Sequence, residues 1–576
     1  MKKIAFAILL FVLAIPYAVA QWSNKAEETL LVYSGPINEP ELALAPNGNT
    51  WVYYQVAADE NYSGLTVCLQ LVDTLGNKLF GENGLKISDK PNRSWLLCNK
   101  YLFVDRDGNA IVAVHDIRNA VDTKYLSYTI YKISQTGEFL WGEDGLALEG
   151  TEAFATSSHM STTQVDDGSY VLAWDVVNPE TEQYEVRMQR ISPDGELLWN
   201  TKDVAITDPS GRVLNTWPTV VDAGFNQVIV IYFAGSSYDM YARKLDFDGS
   251  SVWSEDTRLY RAGWTQIPAW SVIDVKPSGD GGAIVAWADD RFLTGSSTYL
   301  TYVKGNGEIG FAAGVDGQRL GYNDFIGTQA YCMYDPHTDT FLALWREAYS
   351  ALYFRLMAQR ITKDGELLWG ETGYELTPFS DSQYGYGTIQ TAPDGQAAFF
   401  YMHNNAVDRN TEMYVTLLNV ADTTLRQDML FSDANAFCEK YDLQTTALTP
   451  QNSWSTMWLE GLAGGALDMK MHRINADLTL GNKDASVGAI EAQNFTFSVV
   501  SDMAQSATLF AVETQQTTQA VLTVYDLSGA VVATPFDGVL NAGKQYIEWN
   551  ANAPAGVYLA TLATTNGVKT VKLLVK

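Results

Sequence analysis

The chain has 576 residues, 47% hydrophobic and 18% charged, with 31 Tyr and 16 Trp. That is too long for one core, since single cores stop growing at about 250–300 residues, and too apolar for a disordered chain. A formal net charge of −29 with no basic patch excludes nucleic acid and peripheral binding to anionic membranes, because the field repels phosphate.

Residues 1–20 read as a signal peptide. Lys2 and Lys3 precede an apolar run that ends in Ala18-Val19-Ala20. The mature chain then starts at Gln21 and holds no further run long enough to span a membrane. Four cysteines, Cys68, Cys98, Cys332 and Cys438, show no zinc-ligand spacing. Cys98, Cys332 and Cys438 fall at similar phases of units that are not neighbours, and all four read as small buried hydrophobes.

Residues 21–480 are organised by a repeat. ISPDGELLW at 191–199 recurs as ITKDGELLW at 361–369 and ISQTGEFLW at 133–141. Each copy reads as a hairpin turn whose Gly takes the left-handed backbone, with ELLW as a short strand after it. Upstream of each turn lies an apolar strand: NGNTWVYY (47–54), DGNAIVAV (107–114), DGSYVLAW (167–174) and FNQVIVIY (225–232) come first. DGGAIVAW (280–287), TDTFLALW (338–345), DGQAAFFY (394–401) and NSWSTMWL (452–459) follow. Eight units start roughly 55–60 residues apart, each with four short strands and no helix-period segment. The predicted fold is all-β: an eight-bladed β-propeller, with seven blades as the alternative. The surplus segment 28–35 is expected to pair with the last unit across the seam and leave no open edge there.

Residues 481–492 read as a linker, and 493–576 as a compact all-β tail. VYDLSGAVV (524–532), NAGKQYIEWNANAPAGVYLATL (541–562) and VKTVKLLVK (568–576) carry a resemblance to the C-terminal sorting domain of the bacterial type IX secretion system. The family pattern falls on Asp526 and Gly529, Trp549, Pro554, Gly556 and Tyr558, and on Lys569, Lys572 and Lys576. The family's opening Tyr-Pro-Asn-Pro segment is missing from 497–513. The resemblance implies an immunoglobulin-like sandwich, the type IX machinery as partner, and display on the outer membrane of a Gram-negative bacterium.

In a propeller the tight turns share one face and the variable loops the other, where function usually lives. At the loop ends of the apolar strands a Trp and a carboxylate recur: His115, Asp116 and Arg118; Trp174 and Asp175; Trp287, Asp289 and Arg291. Trp345, Arg346 and Glu347, then Tyr401 and His403, then Trp458 and Glu460 continue the pattern. Two readings compete for it. One is a ring of sugar-stacking aromatics and hydrogen-bonding carboxylates, with paired carboxylates as an acid and base. The other is blade packing, with carboxylates satisfying loop backbone donors. Trp217, Trp264, Trp270, Phe379, Tyr384 and Tyr386 in the longer loops are further contact candidates.

No catalytic residue, metal site or cofactor is assigned. SPDGELLW resembles the Asp-box of sialidases, but its Gly follows the Asp directly; GELLW resembles quinoprotein dehydrogenase blades without their vicinal cysteines. Neither match transfers a catalytic group. Of the five histidines, none lies in a nucleophile-elbow context. The expected function is a non-catalytic surface module that binds glycan or protein. A surface glycoside hydrolase and a part of the secretion apparatus are the alternatives.

Overall fold

The computed structural model describes residues 22–575 apart from 58–63, 91–100, 117, 119–124, 149–152, 155–158, 178–183, 200–203, 207–214, 236–237, 262–272, 292–294, 351–352, 381–382, 405–409, 425, 434–438, 462–465, 483–494, 502–507, 515–516, 527–530, 551–552 and 565–566. Residues 1–20, read from sequence as a signal peptide, and nearly all of 481–492, read as a linker, lie outside the described residues. So do Cys98 and Cys438. Every element among the described residues is a strand, so the protein is all-β. The chain divides into two compact units, Met1–Gly481 and Asn482–Lys576.

Unit 1 holds eight antiparallel sheets built as meanders. Sheet 1 runs Ile37–Leu44, Thr50–Ala57, Leu65–Val72 and Leu85–Ser88. Sheets 2 to 8 begin with Leu102–Val104, Met160–Gln164, Asn215–Asp222, Asp274–Pro277, Ile326–Asp335, Gln383–Ala392 and Glu439–Thr445. Sheet 2 carries an added short strand, Ala153–Phe154. Three of the second strands are buried along their whole length, as their apolar runs require: Ala110–Asp116, Val228–Ala234 and Ala283–Asp289 have no exposed position. The first strands of sheets 1, 4, 6 and 8 each contain a bulge at a residue of positive φ: Glu39, Trp217, Gln329 and Asp442.

The repeated motif makes the contact between one sheet and the next. At 191–199 the turn closes by Gly195 N–H to Ser192 O (3.0 Å), and Ser192 Oγ accepts the Glu196 N–H. ELLW is not a strand, contrary to the sequence expectation. It makes one bridge, Ile191 to Leu197, and the fourth strand comes later, at Val204–Ile206. The reason is the Trp, which turns out of its own sheet. Trp199 Nε1 donates to Phe247 O in the next sheet's turn (2.9 Å), and Arg190 donates to the same carbonyl (2.7 Å). Trp141 with Lys132 on Pro193 O, and Trp253 with Lys244 on Gly305 O, repeat this pairing. The turn glycine of the receiving sheet is the seat: a Cβ on Gly195 would stand 2.9 Å from Trp141. Gly195 is thus fixed twice, by a φ of +90° and by the indole.

The cation half of this device joins the last sheet to the first, Arg473 donating to Thr74 O (2.8 Å). Gln444 binds the backbone at Leu42 and Pro40, and Thr50 Oγ1 meets Ser455 Oγ at 3.0 Å. Leu30–Gly35 pairs antiparallel with Leu467–Asn475, from Leu30↔Met471 to Gly35↔Leu467. Segment 28–35 thus pairs with the eighth sheet, as its sequence leads one to expect.

Unit 2 has a three-stranded and a four-stranded sheet that share one core, including Phe497, Phe510, Leu522, Trp549, Tyr558 and Leu562.

Candidate functional site

In every sheet of unit 1 the turns joining strands one to two and three to four lie at one end. The strand two-to-three connections and the links to the next sheet lie at the other, the loop side. The recurring Trp-carboxylate pairs sit here, and their chemistry is internal. Residues two apart on a strand share a face, which brings the indole N–H to the carboxylate. Trp287 Nε1 donates to Asp289 (2.8 Å), Trp345 Nε1 to Glu347 (3.0 Å), and Trp458 Nε1 reaches Glu460 at 3.4 Å. Trp174, Trp287, Trp345 and Trp458 are all buried, so none is a stacking platform.

Asp116 and Asp289, also buried, are each covered by the Arg two residues on. Arg118 Nε lies 2.6 Å from Asp116 Oδ2, and the same guanidinium donates to Asp144 O (2.9 Å) and Tyr131 OH (2.8 Å). Arg291 repeats this with Asp289 (2.8 Å) and Asp316 O (2.9 Å), 3.8 Å from the centre of the Tyr299 ring. In both pairs the Arg backbone N–H also bonds the carboxylate, at 3.1 Å. Burial pushes the Asp116 carboxyl above its ordinary range while Arg118 pulls it back. Asp116, Arg118, Asp289 and Arg291, expected as ligand contacts, are instead strand-end clamps closed by their own neighbours.

Asp175 and Trp217 are brought together. The Asp175 carboxylate accepts from the Trp217 N–H (3.2 Å) and the His159 N–H (2.8 Å), and lies 3.0 Å from His159 Nδ1. Trp217 is half-buried, with edge contacts to His159 and Phe233. His115 stacks on Tyr128 with ring centres 4.3 Å apart, and burial pushes its imidazole down to about 3. It is neutral at physiological pH and does no acid-base work there. His403 Nδ1 is 3.6 Å from Glu412 and pairs in register with Tyr384, whose side chain lies outside the description, as do Trp264 and Trp270.

The repeat is broken at sheets 5 and 6. Thr340–Ser350 is the longest described strand of unit 1, and with Tyr353–Ile361 it carries the loop side outwards. Glu347 (2% exposed) organises this corner. It takes two bonds from Arg355 (2.9 and 2.7 Å) and one from Asn323 Nδ2 (2.7 Å). Asn323 Oδ1 in turn accepts the Phe325 N–H at 3.0 Å, folding residues 323–325 into an Asx turn. The Arg355 guanidinium lies over both Phe325 (4.9 Å) and Phe379 (4.4 Å). Phe325, Tyr349 and Phe379 meet edge to face. A cavity of about 260 Å³ opens beside them, lined by Gly295, Ser296, Ser297, Arg319, Asn323, Asp324 and Phe325. Gly295 is at φ +133°, and a Cβ there would stand 2.9 Å from Ile326. Tyr322 (50%), Tyr349 (70%) and Tyr353 (47%) are exposed on the same stretch of chain.

Sequence reasoning named Glu347 and Phe379 as loop-side candidates, without bringing them together, and missed Tyr322, Tyr349, Arg319 and Arg355. The available signal was the clustering of aromatics in GYNDF (321–325) and REAYSALYF (346–354), both without counterparts in the other units. Among the described residues no three His, Cys, Asp or Glu side chains gather to hold a metal ion.

In unit 2, Trp549 and Tyr558 are core residues in edge contact, and Tyr558 OH donates to Pro554 O (2.8 Å). Gly556 opens the strand that carries Tyr558. Lys569 is drawn onto Phe495 O (2.7 Å), whereas Lys572 is exposed. Asp526 is half-buried; Gly529 and Lys576 lie outside the description.

The chain is thus an all-β repeat protein. No family model matches it, and neither does any curated protein. Solved structures similar to it include an endo-arabinase from Bacteroides thetaiotaomicron, at 10% identity over 44% of this chain and 92% of that one, with a TM-score of 0.27. An α-L-arabinanase from Penicillium chrysogenum matches at 10% identity over 78% and 99%, TM-score 0.34. An acylaminoacyl peptidase from Pyrococcus horikoshii matches at 9% over 76% and 59%, TM-score 0.37.

Proposed function

We propose that unit 1 is an eight-bladed β-propeller that binds a glycan on its loop side without cleaving it. Unit 2 serves as an immunoglobulin-like type IX sorting domain that delivers it to the cell surface. Eight meander sheets, each bonded to the next and the eighth to the first, support the propeller. The observation that carries the binding reading is the contrast across the loop side. Glycoside cleavage needs two open carboxyl groups about 5–10 Å apart, one of them protonated. Among the carboxylates that follow the second strands, Asp116, Asp289 and Glu347 are buried and covered by arginine, and Asp175 is bound to His159; Glu39 and Asp442, on the first strands of sheets 1 and 8, are a further pair, both pushed above the ordinary carboxyl range by burial. The exposed groups at the corner of sheets 5 and 6 include Tyr322, Tyr349 and the Asp324 carboxylate of a polar cavity, which suits recognition of a sugar's apolar face and hydroxyls.

A glycan array probed with the full chain tests this. Selective retention on a few glycans is the expected result. Silence from folded protein, or loss of the retained glycan by hydrolysis, would overturn it. For delivery, a chain lacking 493–576 is expected to stay in the periplasm; unchanged surface display would refute the sorting role.

A further inference from the structure

We propose that the cavity between sheets 5 and 6 receives the terminal residue of a neutral glycan, with the next sugar resting on Tyr349. The proposal rests on the glycan-binding reading above and specifies its site and ligand class. At about 260 Å³ the cavity is at the small end of ligand pockets, room for a single sugar ring. A terminal residue fits such a space, whereas the middle of a chain needs a groove open at both ends.

The lining fits a polyol. Ser296 and Ser297 offer hydroxyls that donate or accept, Asp324 two acceptor oxygens, and Arg319 a planar donor fork. Ser296 Oγ is the most telling. The residue is 6% exposed, its hydroxyl has no partner among the described residues, and it lines the cavity. A buried hydroxyl left unmatched is costly, and a ligand hydroxyl is the complement it lacks. Phe325 supplies an apolar wall for the C–H face of the ring.

Charge selects the class. The lining has one cation, Arg319, against one carboxylate, Asp324, and Arg319 already donates to Asn323 O (2.7 Å). The site is locally balanced inside a chain of net charge −29, so a sugar acid or sulfated sugar gains nothing and is repelled at range. Tyr349 is 70% exposed but held at its edge by Phe325 and Phe379, so its outer surface is a fixed platform. Tyr322 precedes the lining residue Asn323, with Arg319 5.5 Å from its ring centre.

Saturation-transfer NMR on the full chain tests this, with methyl glycosides of neutral pentoses and hexoses, galacturonic acid as the acidic probe, and the oligosaccharides retained on the array. Ser296→Ala and Asp324→Asn are expected to weaken the preferred neutral monosaccharide at least tenfold. Tyr349→Ala is expected to weaken the oligosaccharide at least tenfold and leave the monosaccharide unchanged. Phe225→Ala, an exposed aromatic in a turn at the other end of the strands, is the control and should change neither. Unchanged melting temperatures establish that the variants are folded. Monosaccharide binding retained in both Ser296→Ala and Asp324→Asn, or preference for galacturonic acid, overturns this site while glycan binding stands. Silence of the wild-type chain towards every glycan overturns both.

Discussion

Replacing Gly195 by Ala tests the interlock between sheets against a control built into the same repeat. Gly195 and Gly142 both sit at φ +90°, so alanine at either meets the same left-handed penalty of roughly 1–2 kcal/mol. The surroundings differ. A Cβ on Gly142 meets nothing within 4 Å, whereas one on Gly195 stands 2.9, 3.1 and 3.2 Å from Cδ1, Cγ and Nε1 of Trp141. That indole is held by its 3.0 Å bond to Pro193 O, so it yields only by giving up a hydrogen bond worth about 1 kcal/mol. Repacking against the new methyl adds roughly 1–3 kcal/mol. Gly195→Ala should therefore cost about 2–4 kcal/mol more than Gly142→Ala. Urea unfolding of both variants, followed by Trp fluorescence, reads the difference. Equal shifts of the midpoint would refute the interlock, and the repeat would then be explained by turn conformation alone.

Three further outcomes follow from the structure. Val32, fully buried in the strand that closes the seam, should not tolerate Asp: light scattering should show Val32→Asp self-associating through the freed edge of Leu467–Asn475, and a monomer as stable as wild type would contradict the pairing. His115, lowered to about 3 by burial, is neutral in both states above the free imidazole's ~6.5; below that the unfolded chain takes up a proton the folded chain refuses. Stability should thus fall by about 1.4 kcal/mol per pH unit from ~6.5 towards 3, and His115→Phe, which keeps the stack on Tyr128, should recover about 2 kcal/mol of the loss between pH 7 and 5 in urea titrations. Burial pushes the Cys68 thiol up to about 11 and the Cys332 thiol well above its ordinary value; peptide-mapped alkylation should label both only in denaturant.

Much of the architecture was legible because it is repeated. A turn glycine followed by Trp at fixed distance, in four of the eight units, is what an interlock between successive sheets requires, and segment 28–35 stood out as a strand without a unit. ELLW was misread because an apolar run looks the same whether it pairs along a strand or anchors a Trp in the next sheet. The loop side was less legible for a related reason. A Trp followed two residues later by a carboxylate has both side chains on one face, but the sequence does not say that the face is buried. Asp116 and Asp289 therefore looked like contacts when Arg118 and Arg291 already cover them. Tyr322 and Tyr349 escaped notice because they belong to no repeat. They matter through the turn that Asn323 makes onto Glu347, a contact between residues 24 apart.

The proposed function of unit 1 is recognition of a glycan without cleavage. The most direct measurement is to incubate the full chain for a day with the glycan it retains best, follow binding by calorimetry, and count new reducing ends by mass spectrometry. Saturable binding with the glycan recovered intact is predicted. Shortened products formed in proportion to protein and time would contradict the claim and require an open carboxylate pair on the loop side.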